Sequence, residues 1–312
     1  MRIYYASDVH GSEVCWRKFL NGARFYRADV LVMGGDIVGK AIVPIARDNG
    51  GPATARFRGR DFRVESEPEV EDLKKAIRNA GFYPYEGTTE EFRYLDDSED
   101  GRRELFERVV RHEIERWLEI AEEKRDPEVA VFVMGGNDDP WFVDEQLRAA
   151  RAVRFCDREV IRIDEYELLS LSYANRTPWN SPRELDEAEL RSLIDELVDR
   201  LHDREKAIFN LHVPPYGSGL DDAPRLDETL KPITRGGQLE LAPVGSTAVR
   251  DAINDYQPLL SLHGHIHEAR GEQMIGRTLA VNPGSDYGSG HIHGASIELK
   301  KGRIKSHQLV SG

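Results

Sequence analysis

Residues 258–267 read Pro258-Leu259-Leu260-Ser261-Leu262-His263-Gly264-His265-Ile266-His267. The first half is a short apolar run of the kind that forms a buried strand. The second half places three histidines directly after it, and Gly264 lets the chain turn so that His265 and His267 face the same way. Four more apolar runs end in the same manner. IYYA (3–6) leads into Ser7-Asp8-Val9-His10, DVLVM (29–33) into Gly34-Gly35-Asp36, VAVFVM (129–134) into Gly135-Gly136-Asn137-Asp138-Asp139, and KAIFNL (206–211) into His212.

Most of these runs, and ELLSLS at 167–172, are separated by amphipathic stretches of helical period. Ser12 to Arg27 reads as a helix behind a serine cap, and Glu104 to Arg125 carries Leu105, Val109, Trp117 and Ala121 on one face. Asp186 to Asp203 repeats Leu190, Leu193, Ile194, Leu197 and Leu201, and Ser246 caps a helix to Tyr256. Strands alternating with helices predict an α/β layered fold. After Thr278 the texture changes to TLAVN, ASIEL and RIKSHQLV, which predicts an antiparallel finish in a second sheet.

Residues 40–100 stand apart from this alternation. KAIVPIA, ATARFRG and DFRVES predict a small meander with Arg58-Gly59-Arg60-Asp61 as a turn, and EPEVEDLKKAIRNAG a helix ending at Gly81. The acidic run from Glu86 to Gly101 reads as a solvated loop. The expected organisation is one domain over 1–312, with 40–100 an inserted cap-like or interaction element.

With 39% hydrophobic residues the chain is long enough to bury a large core. No apolar run reaches the ~20 residues needed to span a bilayer, and no signal-type segment follows Met1, so a soluble cytoplasmic protein is expected. A net charge of −13 argues against gripping duplex nucleic acid, which requires clustered Lys and Arg. Cys15 and Cys156 are far apart and suggest neither a disulfide framework nor a thiolate site.

In an open α/β sheet, ligands bind beyond the carboxyl ends of the strands, so the five loops converge on one place. Imidazole, carboxylate and amide oxygen without thiolate suit divalent manganese, iron, zinc, nickel or cobalt better than calcium. The candidates are too many for one tetrahedral ion. Two ions sharing a carboxylate match the number, an arrangement suited to in-line displacement at phosphorus.

The blocks Asp8-Val9-His10, Gly35-Asp36, Gly136-Asn137-Asp138-Asp139, His212 and Gly264-His265-Ile266-His267 resemble, in order, the signature of the calcineurin-like metallophosphoesterase superfamily, prokaryotic phosphodiesterase-like branch. The turn Asn282-Pro283-Gly284-Ser285 is also familiar from prokaryotic members. The resemblance runs through the whole chain apart from residues 40–100 and 173–185. It implies a four-layer αββα sandwich of two mixed sheets flanked by helices, here with a small α+β insertion. It also implies two divalent ions, manganese foremost, one on Asp8, His10, Asp36 and His267 and the other on Asp36, Asn137, His212 and His265. A metal-bridging hydroxide would attack phosphorus. The implied activity is that of a phosphodiesterase for a nucleotide-type or other small phosphodiester; the alternatives are a phosphomonoesterase and a non-catalytic scaffold or sensor of the same fold. A homo-oligomer is compatible with the sequence.

Asp138 departs from the motif, which usually has a histidine there that contacts the phosphoryl group or protonates the leaving oxygen. Asp138, Asp139 and His263 are the candidate catalytic residues; Asp138 is expected to repel phosphate unless metal or protonation offsets it. Asn175, Arg176 and Tyr216 are candidate substrate contacts, with Tyr173 and Trp179 as further walls. Ser181-Pro182-Arg183-Glu184 has capping-box spacing and calls for no functional role. The tetrapeptide Gly-His-Ile-His recurs at 290–293, where His291 and His293 fall on one face of a strand, with partial exposure expected.

Overall fold

The computed structural model describes all 312 residues. Two six-stranded mixed sheets form its centre. The first runs, edge to edge, Arg303–Ser311, His293–Lys300, Arg2–Ala6, Val30–Met33, Ala130–Val133 and Arg154–Phe155. The second runs Gly271–Ile275, Thr278–Asn282, Leu260–Leu262, Ala207–Leu211, Tyr166–Leu171 and Glu159–Ile163. The four middle strands of the second sheet are parallel, and both its edge strands are antiparallel.

Period-two alternation divides each strand between two cores. Ile3, Tyr5, Val30, Val32 and Phe132 meet Ile161, Leu168, Ile208, Leu260 and Leu262 between the sheets. On the outer face of the first sheet, Tyr4, Ala6, Leu31 and Met33 meet the helices Glu13–Tyr26, Glu99–Lys124 and Phe142–Ala149. On the outer face of the second, Leu169, Leu171, Phe209 and Leu211 meet Glu187–Val198 and Thr247–Tyr256. Because the middle strands are covered on both faces they read as continuous apolar runs. The result is the four-layer αββα sandwich expected from the resemblance.

Several local expectations change. The tail does not make a sheet of its own: Thr278–Asn282 joins the second sheet in parallel with Leu260–Leu262, whereas His293–Lys300 returns to pair antiparallel with Arg2–Ala6. Glu86 to Gly101 is not a loop. It holds the end of the strand Tyr83–Gly87, the helix Thr89–Asp97 and the start of the helix Glu99–Lys124, with Thr88 and Ser98 accepting from Glu91 N–H and Gly101 N–H as caps. Short polar side chains there start helices, which an acidic composition concealed. Ser12 precedes its helix but its hydroxyl donates to Asn79 O instead of capping. The capping box before Glu187–Val198 uses Asp186 and Glu189, not Ser181 and Glu184.

Residues 42–87 form a four-stranded sheet, Arg60–Val64, Ala53–Phe57, Ile42–Ala46 and Tyr83–Gly87, with the helix Glu67–Asn79 on it and an apolar core of Val43, Ile45, Phe57, Val70, Leu73 and Ile77. The hairpin turns at Arg58-Gly59, both at positive φ. Its root is close to the first strand-end loop: a Cβ on Gly81 would lie 2.5 Å from His10 O and 2.7 Å from the Tyr287 ring. No helix is long and apolar enough to cross a membrane.

Candidate metal centre

The strand-end loops interlock through their backbones. Asp8 N–H donates to Gly35 O, His10 N–H to Asp36 O and Gly11 N–H to Ile37 O, while Gly264 N–H donates to His212 O. Ser285 closes the ring, its backbone N–H donating to His267 O and its hydroxyl to Asp8 O at 2.6 Å. The turn that begins at Asn282 therefore ties the last histidine loop to the first aspartate. Asp8, His10, Asp36 and His265 all have positive φ, an arrangement that costs roughly 1–3 kcal/mol at each non-glycine and persists only under strong surrounding constraint. Gly136 and Gly264 allow the close approach: a Cβ on Gly136 would lie 2.3 Å from Asp36 Oδ1, and one on Gly264 2.3 Å from Asp8 Oδ2.

The side chains converge in two groups able to hold metal ions, Asp8 with His10 and His267, and Asp36 with His212 and His265, and a third set of His10, Asp36 and Asp138 overlaps both. His10 Nε2 faces His267 Nε2 at 3.1 Å, and His267 Nε2 lies 3.4 Å from Asp8 Oδ1. His265 N–H donates to both oxygens of Asp8, fixing that carboxylate. Asp36 Oδ2 sits between the groups, 3.6 Å from His10 Nε2 and 3.4 Å from His212 Nε2.

The tautomer of His212 follows from its partners. Nδ1 is 2.9 Å from Gly34 O, which can only accept, so Nδ1 carries hydrogen. In the neutral ring Nε2 is then a bare acceptor, aimed at Asn137 Oδ1 at 3.0 Å and at Asp36 Oδ2. Asn137 is held that way round because its Nδ2 donates to Ser181 Oγ at 2.7 Å and to Asp138 Oδ1 at 3.1 Å. Three acceptors therefore point at one another, an arrangement that requires a cation or a proton between them. Burial opposes charge on His212, but the carboxylates of Asp36 and Asp8 and the Gly34 carbonyl raise it to about 10. Burial likewise pushes Asp8 up, but His267 and His212 outweigh it and bring the carboxyl down to about 2. Burial, aided by the charges of His267 and Lys40 and opposed by Asp36 and Asp8, drives His10 down to about 3, and its buried Nδ1 has no hydrogen-bond partner. The cluster thus favours positive charge at its centre, and its donor set fits divalent ions.

The remaining candidates separate. Asp138 lies at the centre's edge, its carboxylate oxygen within 4.8 Å of ligand atoms of His10 and Asp36, and its N–H donates to Asp36 Oδ1. Its carboxylate is bonded to Lys40 Nζ at 3.0 Å, a third means of offsetting its charge besides metal and protonation. Asp139 does not face the centre. It is fully buried and accepts from Gly136, Ile37 and Val38 N–H at 2.8, 3.0 and 2.7 Å, so it clamps two loops together in place of the expected catalytic role. His263 is likewise buried among backbone carbonyls: Nδ1 donates between Leu211 O and Val213 O, and Nε2 accepts from Ser261 Oγ at 2.8 Å. Both its nitrogens are occupied, and burial holds the ring near 4, neutral and structural.

Arg176 is paired with Asp186 and Asn175 Nδ2 donates to Val244 O, so neither side chain is bonded to the cluster. Tyr216 is exposed. In the second Gly-His-Ile-His, His291 pairs with Asp286 at 3.1 Å and His293 is half-buried, both outside the two groups. Three contributors gave no sequence signal as site residues. Arg183 is wholly buried beneath the Asn137 loop, Tyr287 lays its ring 4.8 Å from that of His10, and Lys40 stands just before the strand Ile42–Ala46.

No family model matches the chain. The uncharacterized protein MJ1162 of Methanocaldococcus jannaschii is 31% identical over 156 residues, 49% of this chain. The match spans 63% of that relative, less than two thirds of its length. Among solved structures, TT1561 of Thermus thermophilus is covered over 97% of its length and this chain over 100%, with a TM-score of 0.53 at 14% identity. A second crystal structure gives a TM-score of 0.59 at 16% identity, covering 100% of this chain and 98% of its own. At these identities the likeness is one of fold. The five sequence blocks thus meet at one end of a two-sheet αββα sandwich, and both solved structures share that fold across the length of the chain.

Proposed function

We propose that the protein is a metal-dependent phosphoester hydrolase acting on a small phosphodiester of nucleotide type. The observation that carries this reading is the position of Asp36 Oδ2, between His10 and His212 and so shared by two ligand groups. Asp8, His10, Asp36 and His267 would hold one ion, and Asp36, Asn137, His212 and His265 the other. Bound divalent ions supply neutralisation of charge developing on the phosphoryl oxygens and a water of lowered pKa.

The chain's own residues prepare the place for them. Gly34 O sets the His212 tautomer, and Ser181 turns the Asn137 oxygen inward. Asp139 holds the loops of Asp36 and Asn137 at fixed separation. Gly81 and Tyr287 bring the inserted element against His10, walling one side and favouring a small substrate over a duplex. Asp138 places a carboxylate beside the centre, which opposes a dianionic monoester more than a monoanionic diester. That contrast favours the diester.

Bound metal and manganese-dependent hydrolysis of bis-aryl and mono-aryl phosphates, measured for the parent and for Asp36→Ala, test this. The expected result is turnover of the bis-aryl compound above the mono-aryl one, lost in Asp36→Ala. Activity that survives this substitution overturns the mechanism; metal content with no turnover of either compound identifies a sensor.

A further inference from the structure

Asp138 presents a negative charge to the centre, yet an anion is what the proposed reaction must admit. The structure contains one answer to this conflict. Lys40 Nζ lies 3.0 Å from Asp138 Oδ2 and is in hydrogen-bond or ion-pair contact with no other side chain. An ammonium has three donors, and Asp138 engages one. The Lys40 side chain is 53% exposed and that of Asp138 28%, so the pair lies at the open edge of the cluster and not within the core.

The backbone that carries Lys40 is held rigidly. Ile37 and Val38 N–H donate to buried Asp139, and Gly39 N–H donates to Tyr83 OH at 2.7 Å. A Cβ on Gly11 would lie 2.7 Å from Gly39 Cα, so this segment lies directly against the loop of His10. The inserted element is anchored again where Arg58, at the hairpin tip, donates to Gly288 O beside Tyr287. Its root and its tip thus both grip the loops around His10 and His267, and Lys40 is the ammonium its root delivers to Asp138.

We propose that Lys40 is a substrate-binding residue, its free donors taking an oxygen of the phosphoryl group while Asp138 positions the ammonium. The inserted element then completes the active site instead of merely covering it. This rests on the phosphoester reading of the centre. Arg at position 40 can keep the contact, since it also brings a cation with several donors, whereas Met keeps the length and loses the charge.

The test is calorimetric binding of inorganic phosphate to manganese-loaded protein, with manganese binding measured separately for the parent, Lys40→Met, Lys40→Arg and Asp138→Asn. Lys40→Met is expected to weaken phosphate about tenfold with manganese affinity unchanged, and Lys40→Arg to stay within about threefold of the parent. Asp138→Asn, which releases the ammonium and removes the repelling charge, is expected to tighten phosphate roughly threefold, on the scale of a half-exposed ion pair. That gain should be smaller when the same substitution is made in Lys40→Met, because only the loss of the repelling charge then remains; an equal gain in both backgrounds overturns the assignment. Unchanged phosphate affinity in Lys40→Met overturns the assignment, as does a loss of manganese binding in that variant, which would make Lys40 a support for the metal ligands. If the parent binds neither manganese nor phosphate, the phosphoester reading itself fails and this assignment with it.

Discussion

Arg183 and Asp144 form a two-pronged ion pair, with guanidinium nitrogens 2.7 and 3.2 Å from the two carboxylate oxygens and Arg183 wholly buried. The same guanidinium donates to Asp139 O and Pro140 O, and Arg183 N–H donates to Asn137 O. The loop carrying Asn137 therefore rests on a buried charge network rather than on apolar packing. Asp157, 3.7 Å from the same guanidinium, is pushed up by burial and held back by Arg183 and Ser172.

Removing the arginine takes away the ion-pair partner of Asp144 and leaves Asp157 to Ser172, and breaking a buried pair costs ~3–5 kcal/mol. Arg183→Met is expected to lose that much in denaturant unfolding, and Arg183→Lys to recover only part of it, because lysine lacks the planar fork. A loss under 1 kcal/mol in Arg183→Met would show that the loop does not depend on this network.

Gly136→Ala adds a Cβ 2.3 Å from Asp36 Oδ1 and 2.4 Å from Asp36 N. The backbone nitrogen cannot move cheaply. The expected outcome is destabilisation of about 1–3 kcal/mol and manganese binding weakened well beyond that of the parent. Thermal melts with and without manganese measure both; binding equal to that of the parent would mean that the two loops can separate freely.

Metal binding should stabilise the fold, since only the folded chain brings Asp36, Asn137 and His212 together around an ion that can replace the His212 proton. At a free concentration 100 times Kd, one site contributes about 2.7 kcal/mol. The melting temperature should rise with manganese and return on chelation in the parent, with a smaller rise in His212→Ala. Equal rises in both proteins would place the ion elsewhere.

Glu184 accepts from the N–H and hydroxyl of both Ser181 and Thr177, and Ser181 orients Asn137. Burial raises the Glu184 pKa, but these hydrogen bonds outweigh it and hold the carboxyl below the usual glutamate range. Because the folded value is depressed, its stabilisation is present above the unfolded pKa and is lost as pH falls through the folded one. Glu184→Gln should melt below the parent at pH 7, and the two curves should converge as the pH is lowered beneath the glutamate range. A gap constant down to pH 3 would count against the carboxylate.

The architecture was legible because its signals are local. IYYA, DVLVM, VAVFVM, KAIFNL and PLLSL are apolar runs covered on both faces, and each gives way abruptly to glycine, carboxylate, amide or imidazole at the sheet's end. Where short polar side chains act as caps the reading failed, as at Thr88 and Ser98, since an acidic run looks alike as a loop or as an exposed helix. The antiparallel character of the tail is legible, its division between the two sheets is not, because alternation identifies a strand but not its neighbour: ASIEL pairs with residues almost a chain length away.

At the site, the sequence by itself determined the candidate ligands, because a carboxylate, amide or imidazole directly after a buried strand must emerge at the sheet's end. Tertiary structure alone decided what the adjoining residues do. Asp139 and His263 stand beside ligand positions in sequence, yet each turns into the scaffold, where backbone groups occupy its polar atoms. Arg183 and Lys40 carry no motif, yet folding brings one beneath Asn137 and the other onto Asp138. The physical reason is the range of the forces involved: periodicity and turn chemistry act within a few residues, whereas a charge is placed by whichever distant partner the closed fold sets within about 3 Å of it.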